Sequence, residues 1–255
     1  MSFEFKKFLP RPGQRYVLPP VHGSADALML AKAAQELKKN QQMLVVFVAS
    51  SADARRLLAE IPWFNVHSTQ PLRCYLLPDW ETLPYDSFSP HQDLVSQRLA
   101  TLYELLNGHC DILLVPITTV SLRIAPPSFL AAHTFFFRQG DSLDEKQLRK
   151  QLTIAGYNHV SQVMSPGEYS VRGGLIDLFP MGAQLPYRLD LFGDTIESIK
   201  TFDVDSQRSI FPVKEIRMLP GHEFPMDESS RAFFRSRWRE MIEGDPTVSV
   251  IYKDI

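Results

Sequence analysis

Met43-Leu-Val-Val-Phe-Val48 is an unbroken apolar, β-branched run, and its reading decides the class of fold. Such a run suits a strand buried on both faces, as in a parallel sheet covered by helices. Upstream, Ser24 to Asn40 has helical texture. Ala, Leu and Met dominate it, Ser24 stands at a capping position, and Lys38-Lys39 sit at the negative end of the dipole. Downstream, the pattern predicts a helix around Ala52–Ile61 and a short strand around Cys74–Leu77. Leucines then recur at helical spacing from Leu94 to Leu106, before a second buried strand at Asp111-Ile-Leu-Leu-Val-Pro116. This alternation implies a parallel α/β layer.

The texture changes near residue 133. Thr134-Phe-Phe-Phe-Arg138 opens a region with one helix, at roughly 144–155, and several alternating strands. Phe192-Gly-Asp-Thr195 places Gly-Asp between two of them, a two-residue hairpin signal. The expected domains are therefore 1–133, an α/β domain; 134–219, an inserted α+β domain; and 220–255, the start of a third segment. That last segment carries a helix around Glu228–Glu240. Ile251-Tyr-Lys-Asp-Ile255 reads as an element cut short, so the chain is expected to stop within a domain.

Composition narrows the function classes. The 255 residues include 27 basic and 29 acidic side chains, a formal charge of −2. A dedicated DNA-binding protein would show a basic excess or stripe. Cys74 and Cys110 lie in apolar surroundings and read as reduced, buried thiols. The first residues have no apolar signal core and no run approaches membrane-spanning length, so a cytoplasmic protein without membrane contact is expected.

Catalytic motifs are degenerate or missing. A phosphate loop needs Gly-x-x-x-x-Gly-Lys-[Ser/Thr], so that amides wrap the phosphates, Lys neutralises their charge and the hydroxyl holds Mg²⁺. In Pro20-Val-His-Gly-Ser-Ala-Asp-Ala27 the register puts Pro20 and Ala25 at the glycines, Asp26 at the Lys and Ala27 at the hydroxyl residue. Gly23 and Ser24 alone keep the character of such a loop, and Asp26 reverses the sign of the charge. Met226-Asp-Glu-Ser-Ser230 imitates a helicase acidic box but precedes a polar helix, where Asp227 or Ser229 serves as a helix-start residue. Asp79/Glu81 and Asp203/Asp205 read as solvated turn residues. The seven histidines form no ligand pair on a helix, and no Gly-x-Ser-x-Gly elbow occurs. No cofactor, metal site or catalytic residue is expected.

Two long stretches carry a family resemblance: Asp79-Trp-Glu-Thr-Leu-Pro-Tyr-Asp-Ser-Phe-Ser-Pro-His-Gln-Asp-Leu-Val-Ser-Gln-Arg-Leu99 and Gly167-Glu-Tyr-Ser-Val-Arg-Gly-Gly-Leu-Ile-Asp-Leu-Phe-Pro180. With Pro186–Phe192 and Phe202–Arg208, they resemble the UvrB-like N-terminal module of the bacterial transcription-repair coupling factors. The resemblance implies a degenerate helicase-like parallel α/β domain with an inserted small α+β domain that binds UvrA. It also implies that RNA polymerase and DNA are engaged through regions absent here, and that downstream domains of the full-length protein are partners. UvrB's DNA-clamping hairpin has no room between Tyr85 and the Gln97-Arg98-Leu99 helix, so Tyr85 and Phe88 are read as packing residues.

Period-2 geometry puts Tyr187, Leu189 and Leu191 on one strand face and Arg188, Asp190 and Phe192 on the other. Two charges on that face predict solvent exposure. Tyr169 and Val171 likewise oppose Ser170 and Arg172. By residue pattern alone, the arginines could simply pair with Asp190 or Glu168 and Phe192 could curl into the core. The resemblance instead marks Arg172, Arg188 and Phe192 as UvrA-binding positions. The expected function is a non-catalytic adaptor that recruits UvrA in nucleotide excision repair. The alternatives are a module restraining the downstream translocase motor and an ATP-dependent, damage-binding UvrB-like enzyme.

Overall fold

In the computed structural model, residues 13–66, 69–83, 86–225 and 227–241 are described. The chain divides into two compact units, Met1–Ile124 and Ala125–Ile255.

The first unit runs α1 (Ala25–Lys39), β1 (Leu44–Val48), α2 (Ser51–Trp63), β2 (Cys74–Leu76), α3 (Gln92–Leu106), β3 (Ile112–Pro116) and the short α4 (Ile117–Val120). Its sheet has the order β1-β3-β2, with both pairings parallel. The helices α1 and α2 supply Ala27, Ala31, Ala34, Ala54, Leu57 and Ile61 to one core cluster with Leu76, Ile112 and Leu114 of the strands. The buried residues of α1 are all alanines, Ala27, Ala31, Ala33 and Ala34.

Every residue of β3 is buried, as expected of a strand covered on both faces. The same expectation fails for β1. Leu44, Val46 and Val48 pack on the cluster, while Val45 and Phe47 on the opposite face are exposed. β1 lies at the sheet edge, and a continuous apolar run does not by itself separate an edge strand from a central one.

The long motif that begins at Asp79 is a structural lock. Arg98 on α3 is fully buried, donates from Nη1 to the Pro78 carbonyl at 2.5 Å, and stacks on Trp80 at 4.5 Å. Thr101 donates to the Leu76 carbonyl at 2.9 Å, tying the same helix to β2. Phe88, expected to pack, is exposed. Tyr85 lies outside the described residues.

The second unit opens with α5 (Pro127–Ala132), β4 (Phe135–Arg138), α6 (Glu145–Ile154) and β5 (Asn158–His159). It continues through β6 (Glu168–Arg172), β7 (Leu175–Phe179), β8 (Tyr187–Phe192), β9 (Thr195–Phe202), β10 (Ser209–Val213), β11 (Glu215–Met218) and α7 (Glu228–Met241). Six strands form one sheet in the order β10-β9-β8-β7-β6-β5, antiparallel except at β5–β6. β11 pairs separately with β4. Ile176, Leu178, Leu189 and Ile199 are buried on the sheet, and Leu148 and Leu152 are buried one turn apart on α6.

A β-bulge between Asp190 and Leu191 pairs Asp190 with Ser198 but Leu191 with Ile196, leaving Glu197 as the extra residue. This explains why Ile196 and Ile199, three apart, are both buried. The Gly-Asp hairpin forms as expected, with Phe192 opposite Thr195 and Gly193 at φ 61°. Among the described residues no helix is long and apolar enough to cross a membrane.

Candidate partner-binding site

The degenerate loop is filled from within. Gly23 adopts φ 58°, and α1 begins two residues later. Ser24 occupies the N-cap place, but its side chain makes no capping bond, contrary to the capping expected of it. Asp26 Oδ1 accepts from its neighbour's amide, Ala27 N, at 2.7 Å. Arg56 on α2 binds the same carboxylate through both terminal nitrogens, and that guanidinium holds the carboxyl below its usual range. Ala25 opens the helix and Ala27 is buried in the core cluster. Among the described residues no strand precedes α1.

Asp227 and Asp203 are engaged by their own local backbone and serine hydroxyls. Asp227 accepts from the Ser230 amide at 2.9 Å and from both serine hydroxyls, Ser229 and Ser230, at the start of α7. Those bonds bring its pKa down to about 2. Asp203 accepts from the Ser206 amide and hydroxyl in a turn. Burial pushes the thiols of Cys74 and Cys110 up to about 12; Cys110 is buried as expected, whereas Cys74 is only partly buried. Among the described residues no group of His, Cys, Asp and Glu could hold a metal ion.

The second unit has a different character at one end of its sheet. The β6–β7 turn, Gly173-Gly174, and the β8–β9 turn, Gly193-Asp194, lie at that same end, joined by a bond from Leu191 N to the Gly174 carbonyl at 2.7 Å. Arg172, Leu175 and Phe192 flank these turns, and all three are exposed. Phe192 is 80% exposed and so does not curl into the core.

Behind this tip the polar face of the sheet is not the open surface that its charges suggest. Ser170, Asp177, Arg188 and Lys200 are cross-strand neighbours in one row. Ser170 and Asp177 are buried, and Ser170 donates to the Ser161 carbonyl of an overlying loop. The arginines pair with neither Asp190 nor Glu168. Both converge on Asp177, whose side chain is 1% exposed. Arg188 grips it bidentately, Nε to Oδ1 at 2.7 Å and Nη2 to Oδ2 at 2.9 Å, while Arg172 reaches Oδ2 through Nη2 at 2.6 Å.

Arg188 is held on further sides. Its Nη1 donates to the Gln207 carbonyl at 3.1 Å, and its guanidinium lies 4.8 Å over the Phe202 ring. Phe202 belongs to a small apolar cluster with Val163 and Phe179. The hydrogen bond to Asp177 raises the pKa of Arg188 above its ordinary value against the opposing effect of burial. The Arg188 side chain is only 16% exposed, against 51% for Arg172, which corrects the expectation that both point outward. One row nearer the tip, Asp190 accepts from Ser198 and Lys200; burial pushes its pKa up, and these bonds more than reverse that.

Asp177 escaped the sequence reading. Its signal was one carboxylate inside the apolar strand Leu175-Ile-Asp-Leu-Phe179, a place a charge occupies only when paired. Naming its partners required the strand order, which alternation does not supply.

The second unit is thus a mostly antiparallel sheet with an exposed arginine and an exposed aromatic side chain at one end. Residues 135–224 match the family model described as the UvrB interaction domain. The chain is 43% identical, over its whole length and 22% of the relative, to the transcription-repair-coupling factor of Escherichia coli K12. It is 44% identical to that of Haemophilus influenzae over 90% of this chain and 19% of the relative. To that of Myxococcus xanthus it is 32% identical over 87% of this chain and 18% of the relative. The chain thus spans about a fifth of the length of these curated relatives. These matches bear out the resemblance read from the sequence.

Proposed function

We propose that this chain is the adaptor module of a transcription-repair coupling factor and recruits UvrA in nucleotide excision repair. The observation that carries the reading is the exposed tip of Arg172 and Phe192 within the span matching the UvrB interaction domain. Exposed aromatic and arginine side chains on a rigid scaffold make the energetic centre of an interface. Phe192 would fill an apolar pocket on UvrA, and arginine would form charge-assisted bonds to a carboxylate there.

The reading is non-catalytic. Asp26 and Arg56 occupy each other where a nucleotide loop would need a free cation, and Asp227 is engaged by its own helix start. The segments 1–133, 134–219 and 220–255 would serve as a helicase-like platform, the UvrA-binding insert and the beginning of a further segment. RNA polymerase, DNA and the motor domains would be contacted by parts of the longer protein.

Titrating purified UvrA into the chain by calorimetry tests the reading. Saturable binding that is lost with Phe192→Ala supports it. No heat up to high micromolar UvrA contradicts it.

A further inference from the structure

Two arginines share one buried carboxylate, and the geometry divides the labour between them. Arg188 has committed both its bidentate edge and Nη1, and its guanidinium lies over the Phe202 ring. A guanidinium so placed has little left to offer a partner. Arg172 is bonded to Asp177 through Nη2 and is half exposed, so most of its five N–H donors remain available. Asp177 therefore looks both ways: inward to a strut, outward to a hand.

We propose that Asp177 is a positioning residue for the partner contact, acting through Arg172, with Arg188 as the strut that fixes Asp177. The inference rests on the UvrA-binding reading and deepens it by naming what the partner presents. The two guanidinium groups and the carboxylate they share carry one positive charge between them, and Asp194 in the neighbouring turn and the Asp190–Lys200 pair leave no net positive excess at the tip. The exposed donors of Arg172 therefore match a single partner carboxylate beside the pocket that receives Phe192, not an acidic cluster. Holding a long arginine side chain in place before association removes part of the ordering cost that binding otherwise pays. The planar fork makes that placement directional, which Lys could not reproduce.

A double-mutant cycle in UvrA affinity, with thermal melting of each variant, tests this. Arg172→Ala is expected to weaken binding about tenfold or more, and Asp177→Asn about threefold to tenfold. In the Arg172→Ala background, Asp177→Asn should change affinity by less than about twofold, because the group it acts through is gone. Raising the salt should weaken wild type by the equivalent of about one ion pair more than the Arg172→Ala variant.

Equal effects of Asp177→Asn in both backgrounds would overturn the proposal, since they would mean that Asp177 acts through general stability. Unchanged or tighter binding by Asp177→Asn alone would overturn it too. If Asp177→Asn melts below the assay temperature, Asp177→Glu keeps the charge and displaces it by one methylene, and the same cycle is read with the same expectation. Wild-type affinity in both Arg172→Ala and Phe192→Ala is a distinct result: it removes the tip as the binding surface, and the positioning role with it.

Discussion

Arg56 on α2 closes on Asp26 on α1, with Nη2 at 2.6 Å from Oδ2 and Nη1 at 3.2 Å from Oδ1. The pair sits at the N-terminal turn of α1, where amides and the helix dipole would otherwise favour a bound anion. The protein supplies that anion itself. Asp26 also takes the Ala27 amide, so the position is occupied by charge and by hydrogen bonds.

The chain should therefore not bind ATP. Calorimetry with ATP and Mg²⁺ is expected to be flat at neutral pH. Micromolar binding that disappears when Asp26 or Arg56 is changed would show that the loop still holds phosphate.

The two arginines on Asp177 should separate in stability. Arg188→Ala leaves a buried carboxylate with one half-exposed partner, and should lower folding stability by about 1–3 kcal/mol. Arg172→Ala removes an exposed contact and should cost at most about 0.5 kcal/mol. Urea unfolding of the two variants decides the matter, and equal losses would contradict the strut-and-hand arrangement.

Acid should expose a second buried pair. Asp111 is bonded by Lys38 Nζ at 2.9 Å and by Arg73 through its backbone amide and guanidinium. Burial pushes its pKa up, yet those bonds bring it down from 3.8 to about 2. A carboxyl with a depressed folded pKa contributes stability above its unfolded pKa and loses it as pH falls through the folded one. Asp111 should thus contribute about 2 kcal/mol at neutral pH, fading between roughly pH 4 and 2. Asp111→Asn should melt lower than wild type at pH 7, with the difference shrinking toward pH 2. A difference independent of pH would assign the loss to packing instead.

Much of this was legible in the chain, and the misses share a cause. The helix from Ala25, the strands at Leu44 and Ile112 and the hairpin at Gly193 all follow from local pattern and turn chemistry. Burial of the sheet faces does not. Phe47 is exposed because it faces away from the core cluster that Leu44, Val46 and Val48 join, and Arg188 is largely buried because Phe202 and Gln207 close over it. Strand order and loop cover are tertiary facts that a period-2 pattern cannot encode. The residue pattern alone left Phe192 free to curl into the core beside its Gly-Asp turn; the family resemblance marked it, and its side chain is exposed. Asp177 and Arg98 were hidden because each is a charge placed among apolar residues, and its meaning depends on partners distant in sequence.

DNA affinity should be weak and blind to damage, given the near-neutral charge of −2. Fluorescence anisotropy at physiological salt checks this with plain and lesion-bearing duplexes. A clear preference for the lesion would return the protein to the damage-binding class.

The central claim is that the sheet tip around Phe192 binds UvrA. The most direct measurement is UvrA affinity for wild type and Phe192→Ala, taken beside their thermal melting. Phe192 is exposed, so the variant should melt as wild type does, yet bind more weakly by about 1–4 kcal/mol. Normal melting together with undiminished UvrA binding would contradict the claim.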